Sequence, residues 1–381
     1  MSGATRKRGA PDAGPAAPSR RAASRAAART VATPAPRVVR AAIVGGTGYG
    51  GMELLRYLID HPSIRVTAIT SRTETGAVGD VHPHLNGLTD LRFTAERAVD
   101  LAKVNDVLFF AAPHGVSAKE TPAVLAASET VKVVDLSGDF RLADASLYPS
   151  AYGWPHPAPD WLARAAYGLP ECGGRAAVRA PGTRLVANPG CHASATILAL
   201  YPLARAKRLS GHASVVSVTG SSGSGAQPKQ GTHHPERFAN FKAYKPLEHQ
   251  HLPEITAALA TAGARDARVA FVPCSGPFSR GILATAIVEV GRGQEDAAVE
   301  AVRGAYAKEP FVRLVDDSAE VRAVAGTNFA DVAVVAKQGV VCITVAIDNL
   351  GKGMAGTAVQ NANLLFGLDE TTNLRRPGAG L

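Results

Sequence analysis

No stretch of this sequence approaches the roughly 18 to 20 consecutive apolar residues that a helix needs to cross a bilayer. Nothing in it reads as a membrane span or as the apolar core of a secretory signal. Cysteine is scarce too: Cys172, Cys191, Cys274 and Cys342 are scattered through 381 residues with no C-x-x-C pair among them. That spacing excludes a disulfide scaffold and a cysteine metal knuckle, and it implies a reducing compartment. One of the four is therefore available as a working thiol. Charged residues make up only 19% against 46% hydrophobic, which excludes a largely disordered chain. A chain of this length buries one large core or, as expected here, two of ordinary size.

Acidic residues are almost missing from one region. Residues 1–40 hold nine lysines and arginines against Asp12 alone, a balance of +8 within a formal net charge of +9. The rest of the chain is nearly neutral, which removes the main ground for a nucleic-acid partner. The tail is Ala, Arg, Ser and Pro without apolar periodicity, and it cannot bury enough surface to offset the entropy of ordering it. Residues 1–36 are expected to form a disordered basic tail on a cytoplasmic protein. Plastid import is the alternative, because an Arg- and Ser-rich, acid-poor N-terminus has the composition of a transit peptide.

From Val38 the sequence turns regular. A β-rich run to Val44 leads into Gly45-Gly46-Thr47-Gly48-Tyr49-Gly50-Gly51, a helical pattern over Met52 to Asp60, and a second strand over Ile64 to Thr70. Apolar strands at 106–112 and 131–136 flank a helical stretch at 121–128. Strands alternating with helices predict a doubly wound parallel sheet. Residues 140–184 are rich in Pro, Gly and aromatics and read as a long connection or partial subdomain. A helical pattern over 193–209 and strands at 213–219, 268–272, 284–290 and 340–347 predict a second, mixed α/β domain. The expected layout is a Rossmann-type domain over 37–188, joined by a returning helix at 354–368, and an α/β domain over 189–353. Residues 375–381 look frayed.

Two motifs carry chemistry. Gly46-x-Gly48-x-x-Gly51 lies between a strand and a helix of a βαβ unit, the context in which a glycine loop cradles a dinucleotide pyrophosphate against a helix N-terminus. Gly46, Thr47, Gly48, Tyr49, Gly50 and Gly51 are its candidate contacts. An NAD site usually ends the second strand on an acid for the ribose hydroxyls; here Thr70-Ser71-Arg72 offers hydroxyls and a cation suited to a 2′-phosphate. Ser71 and Arg72 therefore predict NADP. The second motif is Asn188-Pro189-Gly190-Cys191-His192-Ala193-Ser194, which puts Cys191 at a helix start, where the dipole should lower the thiol pKa. A nucleophilic thiol needs a proton acceptor, and His192, His233, His234, His249 and His251 are the candidates. The histidines show no metal-ligand spacing.

Taken in order, the glycine loop, Pro113-His114-Gly115, Asp135 to Arg141, Tyr167 to Glu171, Asn188 to Ser194, His249 to Ile255, Arg280-Gly281-Ile282 and Asp348 to Gly353 resemble the N-acetyl-gamma-glutamyl-phosphate reductase family of the aspartate-semialdehyde dehydrogenase superfamily. The resemblance runs from Val38 to about Leu368. It implies NADPH-dependent reduction of an acyl phosphate to a semialdehyde through a cysteine thioester, in arginine biosynthesis, by a homodimer or homotetramer. Cys191 becomes the nucleophile and His251 the base, with His249 the other candidate. Pro113, Ser137 and Asn361 join the cofactor residues. Arg141 and Arg280 are candidate anchors for the substrate's carboxylate or phosphate, through bidentate geometry.

There are departures from the family pattern. His192 stands where an aromatic residue commonly follows the cysteine, and Cys274 where a histidine is usual. Gly231 to Arg237 looks like the branch acting on glutamate or aminoadipate linked to a small acidic carrier protein, which marks His234 and Arg237 as substrate residues. Lys229, Arg237, Lys242 and Lys245 make that stretch basic, as an acidic partner would require. The free acyl phosphate is the favoured substrate and the carrier-linked one the alternative. The intact cysteine and histidine motifs argue against a non-catalytic NADP-binding sensor.

Overall fold

A computed structural model describes residues 37–378; the tail expected over 1–36 and the last residues of the expected frayed end lie outside them. The first sheet is built from β1 (Val39–Val44), β2 (Ile64–Thr70), β3 (Phe93–Thr94), β4 (Val107–Phe110), β5 (Lys132–Asp135), β6 (Ala165–Tyr167) and β7 (Leu185–Ala187). Its order is β3-β2-β1-β4-β5-β7-β6, and every pairing is parallel. Alternate residues face opposite ways. Ala41, Ile43, Val107 and Phe109 enter one core, with helices Tyr49–Leu58 and Gly356–Leu365, while Ala42, Val44, Leu108 and Phe110 enter the other, with Val124, Leu125 and Tyr148. Burial on both faces explains why these strands read as continuous apolar runs.

The second sheet consists of β8 (His212–Thr219), β9 (Lys242–Ala243), β10 (Arg268–Ser275), β11 (Ile282–Glu289), β12 (Val312–Leu314), β13 (Ala330–Lys337) and β14 (Val340–Ile347). Its order, β12-β13-β14-β11-β8-β10-β9, mixes parallel and antiparallel pairs. One face packs Val215, Ala284, Ala286, Ile343 and Val345 with Ile197, Leu200, Ile255, Leu259, Ala298 and Val302 of helices Cys191–Arg205, Leu252–Thr261 and Glu295–Tyr306. On the other face Val216, Ile287 and Val335 are exposed.

Several elements differ from the sequence reading. The 140–184 stretch is no mere connection, since β6 lies within it and pairs with β7 just beyond it at the edge of the first sheet. At three residues each, these strands are too short to show a period. Helix Val116–Ala127 begins five residues before the expected start and carries Pro122 inside it. β13, eight residues long, lies where the sequence analysis predicts no strand. Before helix Gly356–Leu365 the chain makes one wide π turn, Gly351–Ala355.

Candidate active site

The parallel strands run outward from β1 in both directions, so the order reverses between β1 and β4. In such sheets ligands bind at that crevice, beyond the strand ends. The glycine loop leaves β1 there. A Cβ at Gly51 would come within 2.5 Å of the Gly46 Cα, so the helix packs on its own loop only because side chains are absent. Gly48 is the opposite case. A Cβ there would meet nothing within 4 Å, because the position faces open space at the start of helix Tyr49–Leu58. The result is a cradle of bare backbone at a helix N-terminus, which fits a pyrophosphate. His82 Nε2 lies 2.9 Å from the Gly46 carbonyl and steadies the loop from behind.

Beyond β2, no acid occupies 70–72. Ser71 is buried and its Oγ accepts from the Thr73 and Glu74 amides at 3.1 and 3.0 Å, forming a local turn. Arg72 is exposed and, among the described residues, pairs with no carboxylate. Of the two, Arg72 is the side chain left free to meet an anion.

Cys191 is the first residue of helix Cys191–Arg205, whose next turns are buried almost all round. The preceding turn is pinned at every polar atom of Asn188: its N–H donates to Asp135 O, its carbonyl accepts from Arg141 Nε, its Nδ2 donates to Met354 O and its Oδ1 accepts from Asn361. Glu254, wholly buried, accepts from Gly190 N and from the Tyr167 hydroxyl, both at 2.8 Å. His251 Nε2 and Arg141 Nη1 sit over the same glycine, 2.4 and 2.7 Å from where a Cβ would be. From the other side Gly353 of the π turn backs onto Cys191, 2.9 Å from its Cβ if it carried one of its own.

The electrostatics depart from the expectation for a helix start. Burial pushes the Cys191 thiol up to about 11, although the Arg141 cation and the amides of His192 and Cys191 itself favour the thiolate. Burial wins, so the resting group is a thiol. A histidine that is to take its proton must be neutral, and His251 is: desolvation, with His249 and Arg141 adding to it, holds it well below the ordinary histidine range. Arg141 can only donate, and its Nη1 approaches His251 Nε2 at 3.5 Å, which identifies Nε2 as the unprotonated nitrogen. His249, pushed down to about 4 by burial and then Lys245, accepts the His251 amide on its Nδ1.

The two arginines expected as anion anchors have protein partners. Arg141 is almost fully buried and donates to Asn188 O and Leu136 O at 2.8 and 3.0 Å, with Glu254 at 3.7 Å. Arg280 is paired with Asp348 and Glu53, which also takes Arg56. Both charges are already met, so neither is a free anion anchor. Arg237 is different: Nη2 donates to Thr219 O at 3.1 Å, and its buried Nε has no partner. His234 lines a cleft of about 620 Å³ shared with Tyr49, Ser222, Lys229 and Ser279. Cys191 is not in its wall.

Two cofactor candidates are also occupied elsewhere. Ser137 donates its hydroxyl to Asp135, whose carboxyl burial and Asp139 push up to about 7. Asn361, fully buried, donates to Gly168 O and Asn188 Oδ1 and so supports the cysteine's turn. Pro113 stays exposed beyond β4, across the crevice from the glycine loop. The sequence reading overlooked Glu254 and Tyr167, although both lie inside quoted motifs. It also overlooked a buried ion pair in which Lys352 Nζ donates to Glu171 Oε1 at 2.7 Å and to Gln360 Oε1 at 2.9 Å. Among the described residues no cluster of three His, Cys, Asp or Glu side chains could hold a metal, and no helix is long and apolar enough to cross a membrane.

Residues 40–180 match the family model described as semialdehyde dehydrogenase, NAD binding domain, and 191–349 match semialdehyde dehydrogenase, dimerisation domain. Among curated proteins, the chain is 42% identical over 347 residues to an N-acetyl-gamma-glutamyl-phosphate reductase of Marinobacter nauticus, covering 89% of this chain and 99% of that one. It is 45% identical over 352 residues to the reductase of the same name from Desulforudis audaxviator, covering 90% and 99%. Among solved structures it resembles the aspartate semialdehyde dehydrogenase II of Vibrio cholerae complexed with ASA, at TM-score 0.65 and 18% identity, covering 86% and 98%. A Candida albicans aspartate semialdehyde dehydrogenase with NADP gives TM-score 0.62 at 13% identity, also over 86% and 98%. At such identities the last two speak for the fold.

Proposed function

This chain belongs to the N-acetyl-gamma-glutamyl-phosphate reductases of the semialdehyde dehydrogenase family, and from that membership we propose how its own residues carry the reaction. It is an NADP-dependent acyl-phosphate reductase of arginine biosynthesis, turning N-acetyl-gamma-glutamyl phosphate into the semialdehyde and phosphate. The observation that carries the residue assignment is the packing of neutral His251 over Gly190, the residue that precedes Cys191.

His251 Nε2 takes the thiol proton as Cys191 sulfur attacks the acyl carbon. The C–S bond forms, the bond to the phosphate oxygen breaks and phosphate leaves, giving a thioester on Cys191. The chemistry that NADPH supplies when bound is a hydride for that carbonyl carbon. Protonated His251 then returns its proton as the C–S bond breaks, releasing the aldehyde and restoring the thiol. Amides at the start of helix Cys191–Arg205 face the developing oxyanion, and buried Arg141 favours negative charge on sulfur. The backbone of Gly46 to Gly51 holds the pyrophosphate and Arg72 the 2′-phosphate. Arg237, whose buried Nε has no partner, anchors the substrate's carboxylate, and His234 serves the substrate from the same segment.

The free acyl phosphate is the substrate named for the relatives; the basic stretch around Arg237 is read as serving it, not a carrier protein. The exposed apolar face of the second sheet, with Val216, Ile287 and Val335, is read as the seat of a second copy of the chain in a homodimer. A cytoplasmic enzyme accords with the bacterial relatives. The deciding experiment runs the reaction in reverse with phosphate and NADP, offering N-acetylglutamate semialdehyde and its carrier-linked counterpart to wild type and C191S. Turnover of the free semialdehyde by wild type alone, with NADP still bound by C191S, is expected. Activity surviving in C191S would remove the thiol from the mechanism.

A further inference from the structure

His192 is 2% exposed and follows the nucleophile directly. Its Nδ1 lies 2.7 Å from Ser217 Oγ on β8 and its Nε2 lies 2.9 Å from the Tyr244 hydroxyl. Both ring nitrogens are thus used, one donating and one accepting, and the two hydroxyls adapt to either choice. The ring packs edge-on against His249 and Phe271, with centroids 5.5 and 5.8 Å away. A phenylalanine would fill that space and keep those contacts. It would leave Ser217 and Tyr244 without their partner.

Tyr244 lies in a segment that needs holding. Between Gly225 and Leu247 most residues are exposed, and Phe238, Phe241 and Leu247 turn their side chains outward at 70%, 58% and 58% exposure. Ala239, Lys245 and Leu247 have φ of 54°, 45° and 62°, the left-handed region that residues with a Cβ avoid. Such strain persists only where surrounding contacts enforce it, and it clusters at functional sites. Besides the two-residue pairing of β9 with β10, the contacts are few. Tyr244 N donates to Pro273 O, Leu247 N to Phe271 O and Arg237 Nη2 to Thr219 O. Among the described residues, the Tyr244–His192 bond is the one side-chain hydrogen bond from this segment to the catalytic helix. Burial keeps the phenol protonated, and it lies near enough to both Cys191 and Arg237 for each to bear on its titration.

We propose that His192 is a positioning residue for the reaction: the Ser217–His192–Tyr244 chain fixes the Tyr244 segment against the thiol site and sets the approach of the acyl phosphate to Cys191. This rests on the assignment of Cys191 as nucleophile.

The test is steady-state kinetics of H192F, H192Q, Y244F and H192F/Y244F with N-acetyl-gamma-glutamyl phosphate and NADPH, together with NADPH titration and melting curves. H192F and Y244F should each lower kcat/KM for the acyl phosphate about tenfold or more, chiefly through KM, with NADPH affinity unchanged. The double variant should be no worse than the worse single one, because both break the same chain. H192Q, which can still reach the phenol, should recover most of the loss. Wild-type kinetics in H192F, or losses that multiply in the double variant, would overturn the proposal. So would an equal loss in H192Q and H192F that tracks the melting temperature. Turnover by C191S run alongside would overturn the nucleophile assignment first and this proposal with it.

Discussion

The ring of His251 occupies the space in which a side chain at position 190 would have to sit: a Cβ on Gly190 would lie 2.4 Å from its Nε2. The residue before the nucleophile is bare so that the base can rest against the cysteine's turn. Glu254 secures the arrangement from beneath by accepting the Gly190 amide.

Gly190→Ala therefore displaces the base or the turn. Turnover should fall by about a hundredfold, in keeping with the cost of misplacing a reacting group by roughly an ångström. NADP binding, which depends on a different loop, should persist. A variant with near wild-type kcat would mean that His251 is free to move aside and is not held in register with Cys191.

Arg72→Ser tests the nucleotide assignment. Arg72 is the exposed cation beyond β2 with no carboxylate partner among the described residues. Losing a charge-assisted contact to the 2′-phosphate should raise the KM for NADPH about tenfold or more while leaving that for NADH nearly unchanged. Equal losses for both nucleotides would move the 2′-phosphate site elsewhere.

With burial pushing the Cys191 thiol up to about 11, the free enzyme should be sluggish toward alkylation at neutral pH. Because the thiolate is the reactive form, iodoacetamide labelling of the Cys191 peptide should rise about tenfold per pH unit from pH 7 to 10, with no plateau on the way. Neutralising Glu254, which disfavours the thiolate, should speed labelling at any pH in this range. A plateau near pH 8 would show that the helix start outweighs burial.

Lys352 and Glu171 form a fully buried pair between the 170–172 turn and the π turn that backs onto Cys191. Burial alone would raise the Glu171 carboxyl, but the Lys352 charge and the hydrogen bonds of Lys352 and Gln360 hold it below its ordinary value. Lys352→Met should cost about 3–5 kcal/mol by leaving that carboxylate unpaired. A carboxyl with a depressed folded pKa contributes stability that is present above its unfolded pKa, about 4.3 for glutamate, and lost as pH falls through the folded one. In the variant burial raises the Glu171 carboxyl, so the gap between wild type and variant, read from denaturant titrations, should begin to narrow above about pH 4.3 as that carboxyl takes a proton, and go on narrowing as pH falls through the wild-type value. A gap that stayed constant down to pH 3 would show that the pair contributes nothing electrostatic.

The glycine loop and the cysteine's place at a helix start were legible because each depends on neighbours in the chain. Glycines 46, 48 and 51 act through the backbone of their own turn, and Cys191 gains its place from Pro189, Gly190 and the helix that follows. The arginines were not legible in the same way. Arg141 and Arg280 were read as anion anchors from the chemistry of guanidinium, yet Glu254 lies 113 residues beyond the first, and Asp348 and Glu53 lie 68 and 227 residues from the second. No local pattern announces that a charge is already met.

What the sequence determined by itself was the opening βαβ unit, the glycine cradle, the acid-free end of β2 and the cysteine at a helix start, because each is set by the conformational preferences of contiguous residues. The tertiary structure decided the rest. It closed Arg141 and Arg280 inside ion pairs, left Arg237 open, turned a helix-start thiol into a protonated one, and tied His192 to Tyr244. Burial and partnership are properties of distant segments brought together, and they fix which of the available charges can still act on a substrate.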